Sequence, residues 1–520
     1  MLLLALGLML SCADQVRGAT LPVQQGVKAT VRGMRSAIKG LSAKPETGKR
    51  AVAAIKALAA HDGKPGATAL LDAAETLSGL AGPILEKRRK GLLQEGGSGR
   101  LKRTRYELRG VEDASEAVAA TLAKMKSTAA LTTMLKRMTN RGSSIPLWLR
   151  LQLAARIAEL PEDKMNWRQQ ANRKQDSNTL LALLDAAQGL GKRAGDVCGK
   201  WVASLLEHKN EDVRIRAAKA MGHLAWPAGI ELLIARLDVE KGAAHDAVLD
   251  ALCVLTAVNP GNSAGSWRAW LAGEGAPYVQ GKKPLSKGKP RSATKKKVGK
   301  TVSGSYFGIA QTGESILYVF DNSLSMKAKL KKAAAGKGPT TGPKVLTRWD
   351  LCRIELKRAL GGLREGQKFN LVSFANKARS FAGTMQPVTP ENIELAVQWI
   401  DGLKLEFQTN VYDALELGFM LAGRGLADRY YESEVDTMFF LSDGAPTIPN
   451  LDKAGIHQDD SDRILAAVRR WNALGRITIH SVAIGLQKRN KDRNKNGRLW
   501  PPIFLKKLAE QNGGRAVSRR

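Results

Sequence analysis

Cysteine is scarce in this chain: 520 residues hold four, with Cys12 in the first apolar run and Cys198, Cys253 and Cys352 scattered far apart. Thiols of that number and spacing supply neither a disulfide framework nor a Cys-based zinc site, so each of the last three reads as a small buried apolar side chain. Histidine is sparse too, at six residues, with no H-E-x-x-H pair and no His–Cys cluster. No Gly-x-Ser-x-Gly stands on a strand-to-helix elbow, no G-x-x-x-x-G-K-S/T phosphate loop occurs, and beyond the N-terminus no run is apolar enough to cross a bilayer. Acidic residues are also short, 48 Asp and Glu against 82 Lys and Arg for a formal charge of +34. That surplus favours anionic partners in general, whether nucleic acid, lipid, polysaccharide or acidic protein.

What is present points to several domains. At this length, with 43% hydrophobic residues, two or three are expected. The opening Met1-Leu2-Leu3-Leu4-Ala5-Leu6-Gly7-Leu8-Met9-Leu10 is an apolar run of export-signal length. It reads as a signal over 1–19 cleaved after Ala19, with lipidation of Cys12 behind Ser11 as the alternative, although no Lys or Arg precedes it. The expected location is therefore exported, periplasmic or at the cell surface.

Residues 20–143 are rich in Ala, Leu, Lys and Glu, with apolar residues at helical spacing in Ala51 to Ala60 and Ala67 to Leu80. Gly63-Lys64-Pro65, Gly82-Pro83 and Gly96-Gly97-Ser98-Gly99 are expected to cut this region into short elements. Residues 144–277 form amphipathic helices in pairs: Leu180 to Leu190 with Cys198 to Leu206, then Val213 to Leu224 with Gly229 to Leu237, and a third pair opening at Ala247 to Leu255. The stretch Glu211-Asp212-Val213-Arg214-Ile215-Arg216-Ala217-Ala218-Lys219-Ala220-Met221-Gly222 resembles a HEAT-type repeat, and such repeats are helical hairpins that stack on a shared core. Trp267 and Trp270, one helical turn apart, are expected to cap the last core layer.

Residues 278–302 are a Lys-rich linker, with Lys282, Lys283, Lys287, Lys289, Lys295, Lys296, Lys297 and Lys300 among Gly, Pro and Ser, a tether or a polybasic arm for an anionic surface or nucleic acid. From 303 to 520 the period changes. Apolar runs Ile316 to Phe320, Phe369 to Phe374, Thr437 to Leu441 and Ile477 to Ile484 alternate with helical segments, the pattern of a doubly wound parallel sheet. In such sheets the site lies beyond the carboxyl ends of the strands at a switch point.

The informative residues fall there. Asp321-Asn322-Ser323-Leu324-Ser325 is a D-x-S-x-S motif directly after the first run, Leu441-Ser442-Asp443-Gly444 ends the third, and Gln408-Thr409-Asn410 opens a helix. Together these resemble the metal-ion-dependent adhesion site of von Willebrand factor type A (VWA) domains. The resemblance covers nearly all of 303–518 and implies a Rossmann-like fold. It also implies hydroxyl ligands from Ser323, Ser325 and Thr409, carboxylates from Asp321 and Asp443, and Mg2+, or Mn2+ or Ca2+, as the ion. Hard cations prefer oxygen ligands, and neutral hydroxyls beside few carboxylates leave net positive charge and a position for a protein ligand's acidic residue. The competing account has these residues only capping helices and turns. Gln408 replaces the Gly common in the family, the segment Lys327 to Lys344 is long and basic, and Asp413 is expected to support the Thr409 loop without touching metal. A partial EF-hand-like string, Asp492-Arg493-Asn494-Lys495-Asn496-Gly497, has Ile503 where the bidentate Glu belongs, and reads as a surface turn.

The fold class expected is thus α plus α/β, HEAT-like repeats followed by a VWA domain. The function expected is non-enzymatic, metal-dependent protein binding, adhesion or scaffolding. The alternative is RNA binding, since the Ro autoantigen family also joins HEAT-like helices to a VWA domain in a basic chain.

Overall fold

The structure is a computed structural model that describes residues 26–93, 98–140, 142–172, 175–285, 288–290, 304–330, 347–422, 434–449, 456–458, 461–486, 492–493 and 499–519. The export-signal reading with Cys12, most of the Lys-rich linker, the basic segment before Thr347 and most of the EF-hand-like string lie outside them. The chain divides into two compact units: residues 1–80 with 109–298, and residues 81–108 with 299–520. No helix among the described residues is long and apolar enough to cross a membrane.

The first unit is helical, and the end of α3 and the start of α4 in the series below, residues 81–108, belong to the second. After α1 (26–39) come α2 (Pro45–Ala57), α3 (Lys64–Leu93), α4 (Ser98–Leu122), α5 (Thr128–Met138) and α6 (Leu147–Ile157). They are followed by α7 (Glu162–Met165), α8 (Trp167–Asn172), α9 (Ser177–Leu190), α10 (Asp196–Ser204), α11 (Glu211–His223), α12 (Gly229–Arg236), α13 (Gly242–Thr256), α14 (Ala264–Trp270) and α15 (Ala276–Val279). Side-chain caps set several starts: Asp176 accepts from Thr179 N–H, Asn210 from Val213 N–H and Ser263 from Ser266 N–H. Helices α6, α9, α11 and α13 pack in succession as one layer, and α8, α10, α12 and α14 as a second. This is a stack of helical hairpins. Trp267 and Trp270 are both buried and meet edge to face at 5.5 Å. Cys198 and Cys253 are buried in this unit and Cys352 in the other.

One punctuation signal misleads. Gly82-Pro83 does not end a helix, because α3 runs from Lys64 to Leu93 through Pro83. An interior proline costs a helix roughly 3 kcal/mol. Burial on both sides offsets it: Leu70, Leu71 and Leu77 are buried before it, and Ile84, Leu85 and Leu92 pack into the core of the second unit after it.

The second unit holds a small hairpin, β1 (Ser305–Tyr306) with β2 (Ile309–Ala310), and a seven-stranded sheet. The sheet strands are β3 (Ser315–Asp321), β4 (Lys368–Phe374), β5 (Ala378–Ser380), β6 (Gln386–Pro387), β7 (Thr437–Ser442), β10 (Thr478–Ile484) and β11 (Ala516–Arg519), while β8 (Thr447–Pro449) and β9 (Ile456–Gln458) pair apart from it. The order is β11-β10-β7-β3-β4-β5, with β6 also on β4; the five strands from β11 to β4 are parallel, and β5 and β6 run antiparallel to β4. Strands such as Ser315-Ile-Leu-Tyr-Val-Phe-Asp321 are apolar at nearly every position because helices cover both faces. Those helices are α16 (Arg348–Gly361), α17 (Pro390–Gly402), α18 (Val411–Leu421), α19 (Ser461–Trp471) and α20 (Pro501–Gln511). Two cores result, one around α18, α19 and α20 and one around α16 and α17. From β3 the chain steps to β4 on one side and later to β7, β10 and β11 on the other. The order reverses between β3 and β7, which makes their carboxyl ends the switch point.

Candidate metal centre

Asp321 is the last residue of β3 and is fully buried. Its Oδ1 accepts from the Ser323 N–H at 2.8 Å, and its Oδ2 accepts from the hydroxyl of Ser442, the last residue of neighbouring β7, at 2.7 Å. The loop beyond it is braced by backbone: Asn322 N–H donates to Phe374 O at 2.9 Å, Leu324 N–H to Glu406 O at 2.7 Å and Glu406 N–H to Asn322 O at 3.0 Å. Ser323 thereby starts a short 3-10 turn, Leu324–Lys327. Its Oγ lies 2.8 Å from Ser325 Oγ, and Ser325 Oγ donates to Asp443 Oδ1 at 2.6 Å. With that proton committed, Ser323 is the donor between the two serines. Ser323 is buried and Ser325 exposed, so the cluster opens to solvent on the Ser325 side.

Thr409 comes from the loop before α18. Its N–H donates to Thr447 Oγ1 at 2.7 Å, its carbonyl accepts from Thr447 N–H at 2.9 Å, and Asn410 N–H donates to Ala375 O at 2.8 Å just beyond β4. A Cβ placed on Gly444 would stand 3.5 Å from Thr409 Oγ1, so this hydroxyl adjoins the Asp443–Gly444 turn. Four of the five residues singled out in the sequence, Asp321, Ser323, Ser325 and Asp443, form one hydrogen-bonded cluster at the switch point, and Thr409 adjoins it across the Asp443–Gly444 turn. Asp413 supports the loop as expected: its Oδ2 accepts from Asn410 Nδ2 at 2.7 Å. Gln408 has φ of +73°, a left-handed conformation that glycine adopts freely and that a side chain makes costly.

Burial and the nearby Asp443 carboxylate push the Asp321 carboxyl up to about 7, only partly opposed by the hydrogen bonds from Ser323 and Ser442. Among the described residues one cation pairs with the cluster. Arg348 Nη1 donates to Asp443 Oδ2 at 2.7 Å while its Nη2 donates to Gly485 O at 3.2 Å. Spacing gave no hint of Arg348. The legible signal was Thr347-x-x-Asp350, a capping box that starts α16 and puts an arginine in the first turn, where the helix dipole disfavours positive charge unless a carboxylate faces it. The other missed residues are Ser442 and Arg88, whose guanidinium is buried against Asp413 and Glu416.

The donor set fits a hard divalent cation. Ligands about 2.0–2.1 Å from an octahedral ion stand roughly 2.9 Å from one another, close to the 2.8 and 2.6 Å separations of Ser323, Ser325 and Asp443 oxygens. Among the described residues two buried carboxylates face one guanidinium, a net negative charge when both are ionised. Among the described residues no three of His, Cys, Asp and Glu stand together as a metal group; this centre is hydroxyl-rich instead. The Gly-x-Ser-x-Gly spelling does occur once, at Gly261-Asn262-Ser263-Ala264-Gly265, but between helices, where Ser263 caps α14.

No family model matches the chain. It is 23% identical over 210 residues to human inter-alpha-trypsin inhibitor heavy chain H4, covering 40% of this chain and 18% of that one, and 27% identical over 168 residues to human heavy chain H1, covering 31% and 16%. The chain thus spans less than a fifth of these relatives. Among solved structures, a von Willebrand factor type A protein from Catenulispora acidiphila overlays with a TM-score of 0.28 at 16% identity, covering 41% of this chain and 39% of that one. Proximal thread matrix protein 1 from the mussel byssus, with a zinc-occupied MIDAS motif, gives 0.25 at 15%, covering 39% and 41%. These overlays are partial, so the fold rests on the strand order. The strand order, with helices on both faces and the donor residues at its switch point, is the doubly wound fold that the resemblance to von Willebrand factor type A domains implies.

Proposed function

We propose that the chain is a non-enzymatic, metal-dependent protein-binding protein. Ser323, Ser325 and Thr409 supply hydroxyl oxygens and Asp321 and Asp443 carboxylates to Mg2+, or to Mn2+ or Ca2+, and an acidic side chain of a protein ligand completes the shell. The observation that carries this reading is the hydrogen-bonded cluster of Asp321, Ser323, Ser325 and Asp443, open to solvent, holding two buried carboxylates and adjoined by Thr409. When bound, the cation supplies Lewis-acid attraction for a carboxylate, and it turns the centre net positive.

The chain's own residues prepare that binding. Arg348 fixes one oxygen of Asp443 and leaves the other toward Ser325. Ser442 and the Ser323 N–H hold Asp321 in one orientation. Phe407, two residues before Thr409 and next to the braced Glu406, is 73% exposed, an apolar contact for a ligand seated over the centre. A centre that captures a carboxylate in this way serves adhesion or scaffolding. The similarity to the inhibitor heavy chains supports this class of reading. The export reading at 1–19 agrees with a partner met outside the cytoplasm.

The test is an array of acidic and neutral peptides probed with full-length protein in Mg2+ or in chelator. Retention on acidic peptides that needs Mg2+ and disappears in Asp443→Ala supports the proposal. Equal retention in chelator overturns it.

A further inference from the structure

Residues 81–108 belong to the same compact unit as the α/β domain, though nearly two hundred positions precede that domain's first strand. Ile84, Leu85, Leu92, Leu101 and Leu108 join the core that contains Val411, Tyr412 and Leu415 of α18. At the centre of this contact Arg88 is wholly buried. Its Nε donates to Glu416 Oε2 at 2.8 Å, its Nη2 donates to Glu416 Oε2 at 2.6 Å and also to Asp413, and its Nη1 donates to Leu101 O at 3.0 Å. Arg105 stacks on the Tyr412 ring, 3.3 Å from its centroid. Burial alone would lower the basicity of Arg88, but Glu416 and Asp413 outweigh it and hold the guanidinium firmly charged.

Asp413 and Glu416 lie one turn apart on α18, so without a cation two buried like charges would face each other. Asp413 is also the residue that fixes Asn410: Asn410 Nδ2 donates to Asp413 Oδ2 at 2.7 Å, and Asp413 N–H donates to Asn410 Oδ1 at 3.3 Å. Asn410 adjoins Thr409, the hydroxyl donor brought from this loop.

We propose that Arg88 is a positioning residue for the ligand-binding centre: by neutralising Asp413 and Glu416 it keeps Asp413 locked on Asn410, and so holds Thr409 in place. The hairpin 81–108 is then part of the binding machinery, and its seating on α18 sets the affinity of a centre it does not touch. This inference rests on the metal reading of Thr409.

Titration of Mn2+ into full-length parent, Arg88→Met, Arg88→Lys, Arg88→Met/Glu416→Gln and a control, Leu508→Ala, tests it, with thermal melts and circular dichroism on each. Leu508 is buried in the same core but outside the chain of bonds to Thr409. The expected result is tenfold or greater weakening of Mn2+ binding in Arg88→Met, partial recovery in Arg88→Lys and in the double variant, and unchanged affinity in Leu508→Ala despite its lower Tm. If Arg88→Met fails to fold, the Arg88→Lys and double variants carry the comparison. A folded Arg88 variant series with parental affinity overturns the inference alone. A folded parent that binds no Mn2+ overturns the metal reading and this inference with it.

Discussion

In the helical unit, buried charge is matched. Glu240 lies between Arg214 at 2.9 Å and Arg236 at 2.5 Å, and Asp185 faces Arg216 at 2.8 Å. At the sheet switch point of the α/β unit, Arg348 is the one ion-pair partner of Asp321 and Asp443 among the described residues, and Asp321 is held by hydroxyl and backbone donors. Matched pairs between neighbouring helices fix a stack; an excess of buried carboxylate is destabilising unless something else binds there. The contrast identifies the end of the sheet, and not the helical stack, as the place where the molecule gives up stability for binding.

The sharpest break of that contrast is Asp321→Asn. The carboxyl of Asp321 is raised to about 7 in the folded state, above its unfolded value, so the folded protein holds the extra proton across that interval. Metal-free stability must then fall as pH rises from about 4 to 7, by as much as about 4 kcal/mol. Asp321→Asn is expected to flatten this dependence and raise Tm at neutral pH, as measured by denaturant unfolding across pH. Glu240→Ala is the counterpart in the helical unit. It strands two arginines and is expected to cost about 2 kcal/mol with Mn2+ affinity unchanged, read by melts and titration together.

His480 sharpens the comparison inside the sheet. Burial and the neighbouring Arg515 lower its imidazole to about 4, while its Nδ1 accepts from Arg515 N–H at 2.9 Å and its ring stacks on Phe439. A folded pKa below the unfolded one means stability is lost as pH falls from about 6.5 toward 4. After allowance for partial exposure the loss is on the order of 1 kcal/mol, and His480→Phe is expected to remove that slope. The smallest effect belongs to Gln408→Gly, which relieves the left-handed residue and is expected to stabilise the α/β unit by up to about 1 kcal/mol without weakening metal binding.

Much of the centre was legible because its donors are tied to local patterns. An apolar run that ends in D-x-S-x-S, and another that ends in Ser-Asp-Gly, each place their donors at a strand's carboxyl end whatever the rest of the chain does. The paired helices were equally legible, since Asp176, Asn210 and Ser263 cap their own starts within three residues. What periodicity could not convey was long-range pairing. Arg348 reaches Asp443 across 95 positions and Arg88 reaches Asp413 across 325, and neither partner carries a mark of the other. Pro83 misled for the same reason: its local cost is outweighed by tertiary burial of Ile84, Leu85 and Leu92, which no window of sequence contains.

The central claim is that the oxygens of Asp321, Ser323, Ser325, Thr409 and Asp443 form one divalent-cation site. Isothermal titration of Mg2+, Mn2+ and Ca2+ into the full-length protein and into Asp443→Ala tests it most directly. A single site is expected in the parent, at least hundredfold weaker in the variant, with the variant still folded. A folded parent that binds none of the three ions, or an Asp443→Ala protein that binds as the parent does, would contradict it.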